Sequence, residues 1–290
     1  MRKQKISFFQ VINTTFLICL ALIGILPFIH MIAVAFSGGA ASAANSVGLL
    51  PVDFSTNAFQ EVVNDGSFLK SFVTSMLRVF LGTVITMVLT ILTAYPVSLS
   101  DREFPARKFY VAIMVITMLF SGGLLPAYIL NTRIGLVDNI WALVIPGAVP
   151  IFNVIVLLNF YRGIPPEIRE AALIDGADDF CCLGKIYLPL SKPCLTTLTM
   201  FCVIGHWNAW FDGLLYMRDN TKYPLQTYLQ VYLSSLSDIK SQQEVTQMLA
   251  TSDRSLMYAY IVLSCIPILL VFPLLSKHIK SGLVLGSVKG

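Results

Sequence analysis

Long apolar segments alternate with short polar ones along the whole chain. A helix needs about 20 mostly apolar residues to cross a hydrocarbon core about 30 Å thick. The pattern therefore predicts an all-α polytopic membrane protein with six transmembrane helices in a single transmembrane domain, residues 1–290. The six predicted spans lie at about 11–36, 71–99, 109–130, 139–161, 193–217 and 256–276.

The composition agrees with this class. Of the 290 residues, 56% are hydrophobic and only 12% are charged, with a mean hydropathy of +0.75, whereas a soluble domain has about 25% charged residues. The first apolar segment is longer than the roughly 7–15 residues of a signal-peptide core. We therefore expect it to be a retained helix.

The distribution of lysine and arginine predicts the orientation, because short cytoplasmic loops are enriched in both residues. One side has thirteen of them, at positions 2, 3, 5, 102, 107, 108, 162, 169, 185, 192, 277, 280 and 289. The other has five, at 133, 218, 222, 240 and 254, or six with Lys70 at the boundary. Both termini and the loop 162–192 are expected to be cytoplasmic, with outer loops at 38–69 and 218–255. The net charge of +4 reflects this topology. The sequence has no basic patch that would indicate nucleic-acid binding.

The most polar stretch is "EIREAALIDGADDFCCLGKIYLPL", from Glu167 to Leu190. Prolines before Glu167 suit the first turn of a helix, and Gly176 suits its end. Asp178 and Asp179 suit the start of a second short helix. The stretch therefore predicts a helix–turn–helix along the membrane surface. A solvated connector is the alternative, but it needs neither a defined turn glycine nor the apolar residues Leu173, Ile174, Leu183 and Ile186.

The spacing within this stretch resembles the E-A-A-x3-G-x9-I-x-L-P signature of permease subunits of bacterial binding-protein-dependent ABC importers. The matching residues are Glu170, Ala171, Ala172, Gly176, Ile186, Leu188 and Pro189. The segments "GGLLPAYIL", "WALVIPGAVPIFNVIVL", "PLSKP" and "GHWNAWFDGLLY" extend the resemblance to oligosaccharide permeases of the maltose and lipoprotein/aldouronate types.

The resemblance implies a type I ABC importer permease fold in a bacterial cell membrane. It implies that the chain is one of two non-identical permease subunits, served by two copies of a cytoplasmic ABC ATPase and by an extracytoplasmic solute-binding protein that delivers an oligosaccharide. In that family the signature loop docks as a coupling helix in the ATPase. There Glu170 would make polar contacts or cap the loop, the small residues would allow a close fit, and Pro189 would set the start of span five.

The residues exclude ATP chemistry on this chain in the usual P-loop manner. No G-x-x-x-x-G-K-[ST] sequence occurs, although a phosphate loop requires it. No catalytic set and no cysteine or histidine cluster with metal spacing is present. We expect no enzyme activity and no cofactor on this chain, with ATP and Mg²⁺ bound by the partner ATPases. A secondary transporter or a channel not driven by ATP is the alternative, but we find no internal repeat or pore-lining polar ring.

Polar residues within the predicted spans are candidates for a substrate pathway. Arg78 is expected to face the bundle interior, a partner or water. A structural ion pair or snorkelling is favoured over direct substrate contact, and as a functional residue Arg78 would line the subunit interface or the pathway mouth. The stretch "GHWNAWFD" is expected to continue one helix, which would place the i,i+4 pairs His206–Trp210 and Asn208–Asp212 each on one face. Its aromatic and polar side chains are typical both of sugar contacts and of an interfacial aromatic belt. The candidates are Arg78, Asn153, His206, Trp207, Asn208, Trp210 and Asp212.

Overall fold

The structure is a computed structural model that describes residues 8–240 and 254–273. Every regular element in this part of the chain is helical. Both termini lie outside the described residues, as do positions 241–253 of the second predicted outer loop and the last positions of the sixth predicted span.

The helices are defined as follows: α1 Phe8–Ala35, α2 Gly39–Ala43, α3 Asn57–Asn64, α4 Gly66–Ser98, α5 Arg107–Leu119, α6 Leu124–Arg133, α7 Ile151–Arg162, α8 Pro166–Ile174, α9 Asp179–Cys182, α10 Leu188–Leu190, α11 Lys192–Asn208, α12 Phe211–Tyr216, α13 Leu225–Lys240 and α14 Arg254–Pro273. A π-helical turn, Leu183–Tyr187, joins α9 to α10. Short 3₁₀ turns occupy Ile140–Leu143 and Asn220–Lys222.

Three helices are long and apolar enough to cross a membrane. These are α1, α4 and α14, with 28, 33 and 20 residues, or about 42, 50 and 30 Å at 1.5 Å per residue. Two bent pairs also qualify, α5 with α6 and the segment Asp179–Leu190 with α11, so the described residues contain up to five such spans. Large apolar side chains of α1 such as Phe16 and Ile23 are exposed, as a lipid-facing helix requires.

The third predicted span, 109–130, contains a bend of 114° between α5 and α6. The bend follows from Gly122 and Gly123, because Gly123 has φ +83°, a conformation that other residues adopt only with strain. In the fourth predicted span, α-helix begins only at Ile151. Pro146 and Pro150 lie before it, and proline disrupts the interior of a helix.

The fifth predicted span is interrupted within "GHWNAWFD". Helix α11 ends at Asn208, Ala209 is extended with ψ 124°, and α12 begins at Phe211. The expected i,i+4 relationships across this stretch are therefore absent, because Trp210 and Asp212 no longer belong to the helix that carries His206. The break leaves the carbonyl of Ala209 free to accept a side-chain hydrogen bond.

The chain divides into two compact units. In the described residues, the first contains 8–69, 229–240 and 254–266. Its small core surrounds Ala33 and Val34. Aromatic contacts join Phe36 to Phe54 and Phe59.

The second unit contains residues 70–228 and 267–273 of the described chain. Its main core joins α4, α5, α7, α11 and the segment around the π-helical turn. Three buried tyrosines, Tyr95, Tyr161 and Tyr187, meet edge to face with ring centroids 5.0–6.4 Å apart. This packing holds the polar stretch of 167–190 directly against the ends of the apolar helices.

Candidate functional site

The second unit contains a cleft of about 530 Å³ with several polar side chains in its wall. Apolar and small residues form most of its wall, and exposed Phe201, Pro146 and Gly147 lie around it. Its polar side chains are those of Arg78, Thr86, Asn153, His206, Asp212 and Tyr216.

Arg78 and Asp212 form an ion pair in the cleft. One guanidinium nitrogen of Arg78, Nη1, donates to Oδ1 of Asp212 at 3.1 Å and to the carbonyl of Ala209 at 3.0 Å, and Nη2 contacts Oδ2 of Asp212. The side chain of Arg78 is only 3% exposed, and that of Asp212 is 29% exposed. The pair supplies the neutralisation that a charge within a membrane span requires.

One helical turn further along α4, Gly82 makes room for His206. A Cβ atom at Gly82 would lie 2.5 Å from Cε1 and Nε2 of the imidazole ring, closer than any real contact. The absence of a side chain at this position therefore allows α11 to place the ring against α4 and beside the ion pair.

The next turn of α4 brings Thr86 into the cleft. Its side chain is buried, and its hydroxyl has no hydrogen-bond partner in the described part of the chain. Elsewhere in the cleft, Nδ2 of buried Asn153 donates to the sulfur of Cys202 at 3.4 Å, a weak acceptor. Buried polar groups without strong partners are uncommon, so the cleft offers hydrogen-bonding capacity to water or to a ligand.

The second candidate feature is the stretch that begins with α8. Gly176 has φ +83° and ends this helix in a Schellman motif: its N–H donates to Leu173, and that of Ala177 donates to Ala172, the two bonds that define the motif. Oδ1 of Asp178 then accepts from the N–H of Cys181 at 2.7 Å and caps α9. The turn between the two helices is therefore capped on both sides.

Buried Arg169 joins this helix pair to the rest of the unit. Its Nη2 donates to Asp179 at 2.8 Å, its Nε donates to the hydroxyl of Tyr95 at 3.4 Å, and its Nη1 contacts Glu103. The hydroxyl of Tyr95 also donates to Asp179 at 3.1 Å. One guanidinium therefore connects α8, α9, the end of α4 and the loop that follows it.

The surroundings of Glu103 favour its ionised form. Burial raises the pKa of its carboxyl, but hydrogen bonds from Ser100 and the charge and hydrogen bond of Arg169 outweigh this effect, so the pKa lies below its ordinary value. Both the N–H and the hydroxyl of Ser100 donate to Oε2 of Glu103. The anchor for Arg169 is thus itself held in place.

The other face of the helix pair is uncovered and partly apolar. Ile174 is 86% exposed and Phe180 is 78% exposed, and Glu170 and Ala171 are exposed beside them. Two large apolar side chains at this exposure, on a segment held rigidly from behind, are typical of a surface that a partner covers.

Comparison with known proteins gives the family. No protein-family model matches the chain. The polygalacturonan/rhamnogalacturonan transport system permease protein YtcP of Bacillus subtilis is 36% identical over 288 residues, which are 99% of this chain and 100% of that protein. Protein LplC of Bacillus subtilis is 37% identical over 283 residues, 97% of this chain and 95% of that protein. The chain belongs to the sugar permeases of ABC transporters.

A solved structure supports the fold of this permease. It is a crystal structure of a bacterial ABC transporter involved in the import of the acidic polysaccharide alginate, with a TM-score of 0.84 and 31% identity, covering 96% of this chain and 98% of that chain. The diacetylchitobiose uptake system permease protein NgcG of Streptomyces coelicolor is 26% identical over 291 residues, 97% of this chain and 89% of that protein. The all-helical ABC importer permease fold and the family resemblance are thus confirmed. These relatives are transporter subunits rather than catalytic enzymes.

The permease brings together some of its predicted pathway residues and separates others. Arg78, Asn153, His206 and Asp212 line the cleft. The other three lie away from its wall. Trp207 is buried and meets Phe72 edge to face, Asn208 is exposed, and Trp210 packs edge to face on Phe211.

The residues of the signature motif differ in burial. Three of them, Ala172, Ile186 and Leu188, pack against the main core of the permease. Three others, Glu170, Ala171 and Pro189, are exposed. Gly176 makes the turn between the helices.

Sequence reasoning missed Thr86 and the carbonyl of Ala209 as parts of the cleft. Thr86 carried a signal: Arg78, Gly82, Thr86 and Thr90 recur at every fourth position of α4, the spacing of one helix face. Ala209 carried none, because no glycine or proline marks the end of α11.

Proposed function

We propose that this chain is one of two non-identical permease subunits of an ATP-driven importer, and that it carries an oligosaccharide across the cell membrane. The names of YtcP and NgcG refer to transport of polygalacturonan/rhamnogalacturonan and of diacetylchitobiose, and the solved transporter is involved in the import of alginate. All are carbohydrates, which supports a sugar as cargo. ATP and Mg²⁺ act on partner ATPase subunits in this proposal.

The segment 162–192 is the proposed docking element for the ATPase. The observation that carries this proposal is the exposed face of Ile174 and Phe180 on a helix pair that Arg169 ties to the core. A partner that closes on this face moves a rigid body, and the tyrosine contacts pass that motion to α4 and α7. Rigid-body rotation of this kind converts ATP-driven closure into alternating access.

The cleft around Arg78 is the proposed stretch of the cargo path within this subunit. Polar backbone and side chains at membrane depth are tolerated where they are buried in protein or line a water-filled cavity. Thr86, Asn153 and His206 present hydroxyl, amide and imidazole groups there, which suit the hydroxyls of a sugar.

The outer face of the permease is proposed to receive a solute-binding protein, with both chain termini cytoplasmic as the lysine and arginine distribution predicts. Helix α13 lies within the predicted outer loop 218–255 and places Leu225 and Leu229 in buried positions. The neighbouring Gln230 and Val231 are exposed, so this helix offers a mixed surface to such a partner.

The test is purification of the tagged chain from its native membrane in a mild detergent, with mass spectrometry of the proteins that accompany it. We expect a second permease and a P-loop ATPase. Glu170→Lys and Gly176→Ala variants should retain the second permease and lose the ATPase. Gly184→Ala is the matched control, because Gly184 is exposed, lies in the same segment and has open space around its Cβ position.

Two outcomes would contradict the proposal. Recovery of a homo-oligomer without any ATPase would favour a secondary transporter or a channel. Full ATPase retention and normal uptake by well-expressed Glu170→Lys and Gly176→Ala variants would show that this segment does not transmit the power stroke.

A further inference from the structure

A second large cavity, of about 750 Å³, lies on the side of the unit where α4 ends, α5 begins and α7 ends. Ser98, Arg107 and Arg162 mark these three helix ends in its wall. Charged residues at the ends of apolar helices lie at the depth of lipid headgroups. The cavity is therefore placed at a membrane–water interface, on the side proposed to be cytoplasmic.

The charges around the cavity are unevenly paired. Arg107 and Lys108 bind the carboxylate of Asp101 at 3.0 and 3.1 Å, and Arg169 binds Glu103. Arg102 and Arg162 also line the cavity, and neither has an ion pair within residues 8–240 and 254–273. Among the lining carboxylates, Glu170 alone lacks an ion pair in that same range. The unpaired charge is thus positive overall.

Arg107 and Arg162 both line the cavity, and like charges that share a cavity repel each other. Asp101, which pairs with Arg107, offsets part of this repulsion. An anion between the two guanidiniums would turn the repulsion into attraction. Guanidinium groups bind phosphate through paired N–H donors of matching geometry, so phosphate is the anion that these arginines suit best.

An apolar surface begins directly beside the arginines. On the first turns of α5, Phe109 is 66% exposed and Tyr110 is 48% exposed, and Ile113 and Ile116 continue the exposed face. Ile116 lies nine residues beyond Arg107, or about 13 Å along the helix, a depth that acyl chains occupy. A charged cavity joined to an apolar helix face matches a phospholipid, whereas free phosphate would need only the cavity.

We propose that this cavity holds the phosphate headgroup of an anionic phospholipid, contacted by Arg102, Arg107 and Arg162, with the acyl chains lying along α5. Basic pockets between transmembrane helices on the cytoplasmic side are a general form of lipid headgroup site. The site adjoins the loop that holds Glu103, the anchor of Arg169. Lipid binding therefore stabilises the same loop that positions the proposed docking segment.

The test uses the intact transporter, assembled with its native partners and placed in nanodiscs of phosphatidylcholine with or without phosphatidylglycerol. We expect phosphatidylglycerol to raise the thermal denaturation midpoint and to remain bound in native mass spectra after release into detergent. The double variant Arg102→Gln/Arg162→Gln should lose more than half of this shift and most of the retained lipid. Lys192→Gln, an exposed cation of the same side outside the cavity, should behave as the wild type.

Further measurements distinguish a lipid phosphate from free phosphate and control for misfolding of the glutamine variant. Arg102→Lys/Arg162→Lys keeps the charge and should restore part of the retention. Equal stabilisation by inorganic phosphate in phosphatidylcholine discs would assign the site to free phosphate and overturn the lipid proposal. Unchanged lipid retention in the glutamine variant would also overturn the lipid proposal. Efficient cross-linking of an Ile113→Cys variant to the second permease would overturn it too, because the second permease would then cover the face of α5 assigned to the acyl chains. Lipid retention and its loss in the glutamine variant require neither cargo nor ATP hydrolysis, so the lipid proposal can fail while the proposed transport function stands.

Discussion

Arg78 of α4 and Asp212 of α12 meet in an ion pair although 134 positions separate them in the sequence. The pair closes one wall of the polar cleft and includes the carbonyl of Ala209, which the end of α11 exposes. Both charges lie within predicted spans, so each is the main reason that the other is tolerated there.

The first prediction concerns this pair. Replacing Arg78 by Leu, or Asp212 by Asn, leaves one group without its partner, and removing one member of a buried pair costs about 3–5 kcal/mol. Since Asp212 is 29% exposed, we expect the loss of unfolding free energy to lie toward the lower end of that range. A lower thermal denaturation midpoint of the detergent-solubilised transporter reports this loss. The double variant should lose clearly less than the sum of the two single variants. Additive losses would show that the two side chains do not interact.

The second prediction concerns the contact between Gly82 and His206. In the interior of a helix, Gly→Ala ordinarily stabilises by about 0.5–1 kcal/mol. Gly82→Ala should instead lower the thermal midpoint and reduce uptake, because the new methyl group displaces the imidazole ring. Gly205→Ala in α11 is the control, since its Cβ position has no atom within 4 Å, and it should be neutral or stabilising. Equal effects of both changes would contradict the proposed contact.

The third prediction separates two threonines of α4. Thr86 and Thr90 are both buried, and neither hydroxyl has a partner in the described residues, but only Thr86 lines the cleft. Thr86→Val should raise the KM of uptake for a transported oligosaccharide. Thr90→Val should leave uptake unchanged and leave the thermal midpoint equal or higher, because an unsatisfied buried hydroxyl is costly. If both variants transport alike, the cleft does not contact the cargo.

The fourth prediction concerns Arg169. Lysine at this position keeps the charge but cannot bind Glu103, Asp179 and Tyr95 together, because it lacks the planar fork of donors. Arg169→Lys should lower the amount of cargo transported per ATP hydrolysed in proteoliposomes. Arg133→Lys, an exposed arginine outside this network, should not. A normal transport-to-hydrolysis ratio in Arg169→Lys would show that the connection is not needed for coupling.

The fifth prediction follows from the lowered pKa of Glu103. A carboxyl group whose pKa is lowered by folding stabilises the folded protein in its ionised form. This stabilisation is complete when the pH lies above the ordinary pKa, about 4.3, and is lost as the pH falls through the lower pKa of the folded state. At pH 7, Glu103→Gln should denature at a lower temperature than the wild type. The difference should shrink as the pH approaches 3. A difference that is constant with pH would exclude ionisation of Glu103 as its source.

Local features of this fold were predictable from the sequence, because local signals determine them. Gly176 was expected to end a helix and does so in the left-handed conformation, since the residues that form the Schellman motif are neighbours in the chain. Apolar segments such as 8–35 and 66–98 were likewise found in helices, but residues 144–150 of the fourth predicted span are not helical. Hydrophobicity alone did not show where these helices bend, because it measures burial in lipid and carries no information on backbone direction.

Long-range pairings were the part that the sequence did not reveal. Asp212 and Arg78 were both recognised as candidates, but helical periodicity relates residues within one element and cannot match charges on two. The interruption at Ala209 had no glycine or proline to mark it, so the i,i+4 pairs of "GHWNAWFD" were expected on a continuous helix. Arg169 was counted only as a topological charge, because its three partners lie on separate segments.

The π-helical turn at Leu183–Tyr187 has a geometric consequence for the segment before it. Such a turn contains one residue more than an α-helical turn, and one residue corresponds to about 100° of rotation around the helix axis. Removing Gly184 would convert the turn to ordinary α-helix and rotate α9, with Phe180, by about this angle relative to α11. The direction in which the permease presents Phe180 and Ile174 is therefore set by the number of residues in a single turn, so a one-residue deletion there would redirect that face without changing any side chain on it.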